Sequence, residues 1–354
     1  MRTPGVAAEG GDRSLTKLRL YGCLALTAST VAAIAILEIV LRLFYPQDTL
    51  SPRWAYSPHY CTTAYPGARM VHERPGRWRF VYTINADGNR GPRLSLPRSD
   101  AKPLIVVLGD SYSFGAGVAD GEEYSEVLER DLHGAAHVLN LALGGWGLTQ
   151  EIRRYYDFGA LYDPRVVILQ FSANDPEDNL KCPVAQLRDG RFVFHDSHAG
   201  VFRIKDFLSR SLIQKSQIYN LVRDRLYRLM AGRVIERSRA DLAKDGATAG
   251  LDETNHAQLL EAFARDLHAR GVRLLLVTVN GQLREFPRIE EKVRQLEAEG
   301  QLRFFDAADW LEGEQDYASP EGHLWGTRAH RVLGERLAGI VAGLTPTSAG
   351  APGS

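Results

Sequence analysis

The sequence predicts an α/β fold: a parallel sheet flanked by helices, with a helical insertion and an apolar helix near the amino terminus. Three observations lead there. The first is Pro103–Gly117, Pro-Leu-Ile-Val-Val-Leu-Gly-Asp-Ser-Tyr-Ser-Phe-Gly-Ala-Gly, whose apolar run Leu104–Leu108 ends at Gly109. A short, partly β-branched run stopped by glycine is the pattern of a strand buried on both faces. The second is that such runs alternate with helix-length stretches from there almost to the end of the chain, as right-handed βαβ crossovers require. The third is that residues 20–37 contain no charge.

Composition sets the bounds. The 354 residues hold one α/β domain of ordinary size plus an insertion. Hydrophobic residues make up 44% and charged residues 24%, a globular balance. With 43 basic and 43 acidic residues the net charge is zero, so no global attraction to nucleic acid is expected. Three cysteines are too few for a disulfide scaffold and badly spaced for zinc. No metal or other cofactor is expected.

Taken in order, residues 1–17 are polar and read as disordered, within a cytoplasmic tail of residues 1–19. Residues 20–44 form a transmembrane anchor, since about 20 apolar helical residues cross a bilayer. Glu38 and Arg42 are four apart, so they share a helix face and can pair, or reach the headgroups. Arg2, Arg13, Lys17 and Arg19 precede the anchor, which puts the amino terminus inside and the bulk of the chain outside the cytoplasmic membrane. The alternative is a signal peptide cut at Ala33-Ile34-Ala35, which leaves residues 36–44 as an apolar new terminus.

Residues 45–102 are a strap rich in proline and aromatics. Trp78, Phe80, Tyr82 and Ile84 alternate with Arg79, Val81 and Thr83 as in a strand, and Asp87-Gly88 signals a turn. The main domain spans residues 103–344. After the first strand come a helix over 122–132, a strand over 137–143, a turn at Gly144-Gly145-Trp146-Gly147 and a helix over 148–162. A third strand, Val166–Phe171, ends at Ser172-Ala173-Asn174-Asp175.

Residues 176–250 break the rhythm as a helical insertion. Within 200–245 one or two helices are expected, with bases outnumbering acids. Phe207, Leu208, Leu212, Ile218, Leu221, Val222 and Leu226 suggest one buried face. The other face is either simply solvated, or a cap over the site, or a surface for anionic lipid or glycan. A helix over 256–270, a strand over 272–279, a helix over 289–299, a strand over 302–305 and a terminal helix over 327–344 complete the domain. Residues 345–354 are disordered by composition. No internal repeats occur.

In an open α/β sheet, ligands bind at the carboxyl ends of the strands. Ser111 follows the first strand directly, with its hydroxyl in that crevice. A serine there can simply cap a helix. A phosphate loop is disfavoured, because the spacing of Gly115, Gly117 and Gly121 breaks the dinucleotide pattern and no G-K-[ST] follows.

Gly109-Asp110-Ser111-Tyr112-Ser113 resembles the first block of the SGNH (GDSL-like) hydrolases, in which the serine is the nucleophile and its N–H helps form the oxyanion hole. Asn140-Leu141-Ala142-Leu143-Gly144-Gly145 resembles the second block, with Gly145 supplying another N–H. Phe171-Ser172-Ala173-Asn174-Asp175 resembles the third, where the Asn174 amide is the last donor; Ser172 stands where the family usually has glycine. Glu321-Gly322-His323-Leu324-Trp325-Gly326 resembles the fifth, with His323 as the base. The family normally carries aspartate two or three residues before that histidine; here Glu321 and Pro320 stand there. Four blocks in family order span roughly residues 104–344. The run from Thr83 to Gly91 resembles a segment of membrane-anchored bacterial members and reads as packing on the sheet edge. No GxSxG elbow surrounds Ser111.

The resemblance implies a flavodoxin-like sandwich and a serine ester hydrolase acting on an acyl ester, with a glycan acetate among the candidates. An acyltransferase of the same fold, or an inactive carbohydrate-binding protein, are the rivals. Ser111 needs a base to take its proton, and His323 needs an acid to hold its tautomer. Glu321 is the expected acid, because Gly322 permits the bend between the two; Asp306, Asp309 and Asp316 are alternatives. Trp146 and Trp325 either wall the pocket or pack in the core. Cys61 and Cys182 either pair across the strap or remain thiols.

Overall fold

The computed structural model describes residues 10–96, 100–197, 212–244 and 251–344. Helix α1 (Gly10–Phe44) is continuous. The expectation of disorder over residues 1–17 is therefore corrected for residues 10–17: no proline or glycine interrupts the chain between Gly11 and Gly22, so the helix runs on past the apolar segment. Residues 1–9 and the expected disordered tail, 345–354, lie outside the described residues. Over Thr16–Phe44 the helix is long and apolar enough to cross a membrane, and only 6% of its apolar window is buried. Arg42 and Glu38 pair at 2.8 Å, as their spacing predicts.

The strap is more structured than its sequence suggests. Strands β1 (Thr49–Ser51), β4 (Arg69–Arg74) and β5 (Trp78–Thr83) form an antiparallel sheet in the order β1-β4-β5. Strands β2 (Ala55–Ser57) and β3 (Cys61–Thr63) form a separate pair. Only β5 has the alternation that predicts a strand; β1 to β3 are too short to show a period, and β4 is mostly polar. The inner residues Met70, Tyr82 and Ile84 pack on Phe114, Ala142, Leu143 and Trp146.

Strand β6 (Leu104–Leu108) is fully buried. It is followed by α2 (Ser111–Phe114), α3 (Tyr124–Asp131), β7 (His137–Asn140), α4 (Leu148–Asp157), β8 (Val166–Phe171) and α5 (Asp175–Lys181). Strand β7 is shorter than expected: Asn140 Oδ1 accepts the Ala142 N–H, and beyond it only the Leu141 and Leu143 N–H groups still donate to Val107 O and Gly109 O. A hairpin of β9 (Ala185–Arg188) and β10 (Arg191–Phe194) comes next, then α6 (Gln217–Lys244), α7 (Leu251–Ala269), β11 (Arg273–Thr278) and α8 (Pro287–Ala298). Strand β12 (Arg303–Asp306), α9 (Ala307–Leu311) and α10 (Thr327–Ala342) close the chain.

All pairings in the five-stranded sheet are parallel, in the order β12-β11-β8-β6-β7. Numbered along the domain that is 2-1-3-4-5, the flavodoxin-like order, and the chain reverses direction across the sheet at β6 and β8. Side chains alternate between two cores. Leu104, Val106 and Leu108 face α4, α7 and α8; Ile105 and Val107 face α3 and α10. Trp325 is fully buried in the second core and Trp146 nearly so against the strap, so both pack rather than wall a pocket.

The insertion departs from expectation in two ways. The β9–β10 hairpin is not helical; Asp189 and Gly190 both have positive φ, the two-residue turn that Asp-Gly favours. Val222 and Leu226, expected on a buried face, are 50% and 53% exposed. Phe207, Leu208 and residues 245–250 lie outside the described residues. A disulfide joins Cys61 to Cys182, with Cα atoms 6.2 Å apart, and ties β3 to the end of α5.

Candidate active site

Three turns at the carboxyl edge of the sheet build the site. After β6, Gly109 has φ +150, and a Cβ there would stand 2.5 Å from Gln170 Oε1 and 2.6 Å from Ser113 Oγ. Only glycine lets the chain pass so close to β8. Gln170 Oε1 accepts the N–H groups of Asp110 (3.1 Å) and Ser113 (3.3 Å), which fixes the turn. Asp110 caps α2 by accepting the Tyr112 N–H. Ser111 is thus the first residue of a short helix, its side chain free to point outward.

His323 comes from the loop before α10. The Ser319 N–H donates to His323 O (2.8 Å), the Gly322 N–H donates to Ser319 O (3.1 Å), and Gly322 has φ +115. That tight turn sets Glu321 and His323 face to face, as the spacing predicts. Ser111 Oγ and His323 Nε2 are 2.8 Å apart, and Glu321 Oε1 hydrogen-bonds His323 Nδ1 on the far side of the ring. The Glu321 side chain is 7% exposed and that of His323 23%. Asp306 instead caps α9 and accepts the Gly281 N–H.

The electrostatics match the geometry. Burial pulls the His323 pKa down, but the hydrogen bond and charge of Glu321, helped by Asp110, outweigh it and leave it above the usual histidine value. Burial pushes Glu321 up, and His323, then His72 and Ser319, bring it net below the usual carboxylate value. Glu321 is therefore ionised at neutral pH.

Around the candidate oxyanion position, the N–H groups of Ser111 and Gly145 make no hydrogen bond among the described residues. Gly145 has φ +78, a conformation natural to glycine. Asn174 presents differently. Its Nδ2 donates to Asp110 Oδ2 at 3.1 Å and Asp178 Oδ2 at 2.7 Å. Ser172, in the place of the family's usual glycine, is fully buried, with Oγ 2.8 Å from Asp110 Oδ2.

Several neighbours carry no signal in the sequence. A Cβ on Gly117 would stand 2.1 Å from Ser319 Oγ and 2.6 Å from Glu321 Oε1, so Gly117 backs the acid. The Gly117 N–H donates to the Tyr82 hydroxyl (3.0 Å), which also contacts His72 Nδ1 (3.0 Å). Arg90, 2% exposed, donates to Phe114 O and Val118 O and pairs with Glu123. The Thr83-to-Gly91 run therefore clamps the loop after α2, and its Ile84 packs in one cluster with Ala142 and Leu143 beyond the edge strand β7. Trp54 and Ser111 both approach Gly144: a Cβ there would meet Trp54 Cζ2 at 3.1 Å and Ser111 Cβ at 3.7 Å. Among the described residues no three His, Cys, Asp or Glu side chains are placed to hold a metal ion.

The model of the GDSL-like lipase/acylhydrolase family matches residues 107–330. The chain belongs to that family. This GDSL-like protein is an ester hydrolase of the SGNH type, with the parallel-sheet fold the resemblance implies. None of the curated proteins matches it in sequence. Among solved structures, it is similar to Est24, a carbohydrate acetylesterase from Sinorhizobium meliloti. Identity there is 11% and the TM-score 0.40, over 69% of this chain and 100% of that chain. The psychrotrophic esterase EstA from Pseudoalteromonas sp. matches at 12% identity and TM-score 0.40, covering 69% and 98% of the two chains. The acetyl xylan esterase AlAXEase matches at 14% and 0.40, covering 67% and 99%.

Proposed function

We propose that this GDSL-like protein is a membrane-anchored serine esterase that cleaves O-acyl esters, foremost the O-acetyl esters of a glycan, outside the cytoplasmic membrane. Ser111, His323 and Glu321 are its triad; Ser111, Gly145 and Asn174 form its oxyanion hole. The observation that carries this is the line from Ser111 Oγ through both nitrogens of His323 to Glu321, with 2.8 Å between hydroxyl and imidazole.

The chemistry follows from where charge develops. As Ser111 Oγ attacks the acyl carbonyl, its proton passes to His323 Nε2. Glu321 keeps the other proton on Nδ1 and stabilises the imidazolium. The carbonyl oxygen becomes an oxyanion facing the N–H groups of Ser111 and Gly145. Asn174 joins by turning an amide hydrogen away from Asp110, the longer of its two contacts. The intermediate collapses, and His323 gives its proton to the departing alcohol. Water, deprotonated by His323, then attacks the acyl-serine and releases the acid. Each oxyanion donor contributes about 100- to 1000-fold in rate.

A short acyl group is the reading we adopt because the Trp54 indole and Ser111 both approach Gly144, leaving an aromatic ring near the nucleophile. The basic residues Arg2, Arg13, Lys17 and Arg19 ahead of the apolar segment and the Cys61–Cys182 bond both favour an extracytoplasmic domain, since disulfides persist in oxidising compartments. The test is release of acetate from an acetylated polysaccharide and from chromogenic esters of increasing chain length. The wild type is expected to prefer acetyl, and folded Ser111→Ala to lose about 1000-fold or more. Full activity in Ser111→Ala removes the proposal; transfer of the acyl group to added glycan without acid release assigns a transferase instead.

A further inference from the structure

The long helix of the insertion presents four large apolar side chains to solvent. Val222 is 50% exposed, Leu226 53%, Leu229 68% and Met230 40%. Their spacing puts them on one side of α6, while Asn220 and Ile235 on the opposite side are buried. Exposed Arg233 and Arg237 continue the same stripe, and exposed Arg225 flanks it. Contiguous apolar surface rimmed by polar groups marks a contact site.

The start of α6 is fastened to the apolar helix α1. Glu38 Oε1 accepts the Gln217 N–H at 2.9 Å; Glu38 Oε2 accepts the Ser216 hydroxyl at 2.9 Å and the Ile218 N–H at 3.1 Å. Arg42 donates to Lys215 O at 3.0 Å. A carboxylate from α1 thus caps α6, where the helix dipole favours negative charge. Ile218 shares a groove of about 370 Å³ with Val31, Ile34 and Ala35 of α1. Ile218, Val222 and Leu226 are successive steps of four along α6, so its exposed apolar row begins in contact with the lipid-length segment of α1 and continues away from it.

We propose that α6 is an interfacial helix. Its Val222–Leu226–Leu229–Met230 face lies in the headgroup region of the bilayer that α1 crosses, with Arg225, Arg233 and Arg237 reaching lipid phosphates. This rests on the reading of α1 as a membrane anchor. The bilayer is the occupant because the patch is continuous with the α1 surface and carries the charge that anionic headgroups attract. The contact fixes the catalytic domain at the membrane surface in one orientation.

The test uses the full chain with Cys23→Ser, which removes the free thiol. Single cysteines at Leu26, Leu229 and Glu299 carry an environment-sensitive fluorophore. The proteins are reconstituted into phosphatidylglycerol–phosphatidylcholine vesicles, with and without bromine on the acyl chains. Brominated lipid is expected to quench the labels at Leu26 and Leu229 and to leave that at Glu299 unchanged. Quenching at Leu26 but not at Leu229 overturns the interfacial helix and leaves the anchor standing. No quenching at Leu26 overturns both. Cross-linking of Leu229→Cys to a second copy, without quenching, assigns the patch to self-association and overturns the proposal.

Discussion

Glu321→Gln keeps the shape of the acid and removes its charge. In the wild type, burial lowers the His323 pKa, and Glu321 more than reverses that. Without the charge, burial is opposed mainly by Asp110, so the His323 pKa falls. Activity needs the neutral imidazole, so kcat/KM rises with pH through the His323 pKa of the free enzyme. The acid limb of the profile is therefore expected to move to lower pH in the variant. The plateau is expected to drop at the same time. Glu321 hydrogen-bonds the ring directly and is almost buried, so no water replaces it at Nδ1. The comparable change in a well-studied serine protease triad costs about 10⁴-fold in kcat, or about 5 kcal/mol of transition-state stabilisation. The assay is the pH dependence of kcat and kcat/KM on an acetyl ester. A loss below about 10-fold, or an acid limb that stays in place, refutes the assignment. So does a full loss in Asp309→Asn or Asp316→Asn with Glu321→Gln active.

Three further outcomes are expected. Gly117→Ala places a methyl against Ser319 and Glu321 at a φ of +78; kcat should fall towards that of Glu321→Gln with KM little changed, and unchanged kinetics would show that Gly117 does not back the acid. Glu151 is buried with neither carboxylate oxygen hydrogen-bonded among the described residues, and burial, then Asp110 and Asp178, raise its pKa well above the ordinary value. The unfolded chain loses that proton first, near about pH 4.3, so this group's contribution falls as pH rises from there towards the folded value. Glu151→Gln is expected to raise the melting temperature more at pH 8 than at pH 5; an equal or reversed difference by calorimetry contradicts it. The Cys61–Cys182 bond closes a separation of 121 residues, worth at most about 5 kcal/mol by chain entropy. The double Cys→Ser variant should melt several degrees lower, and two additional thiols in the non-reduced wild type would contradict the bond.

The central sheet was legible because its strands are short apolar runs that stop at glycine or polar turns. Strands of that kind are specified locally. The four blocks were legible because each follows a strand or precedes a helix, and Gly322 announced the bend between Glu321 and His323. The strap was not, because β1 to β4 are held by pairing with each other and by Tyr82 and Met70 packing under the loop after α2. Nothing in the spacing of Arg90, Gly117 or Trp54 reveals that they meet the site, since each arrives by a tertiary contact. The outward face of α6 is not legible in the sequence for a physical reason: apolar residues at helical spacing look the same whether protein or lipid covers them.

The most direct test of the account is active-site labelling. A fluorophosphonate phosphonylates a serine, with loss of fluoride, only when a base activates the hydroxyl and an oxyanion hole receives the developing charge. Incubation of the full chain, followed by peptide mass spectrometry, is expected to place the adduct on Ser111. His323→Ala should slow labelling by orders of magnitude, and Ser111→Ala should abolish it. Labelling of a different serine, or equal labelling of a folded Ser111→Ala protein, contradicts the triad.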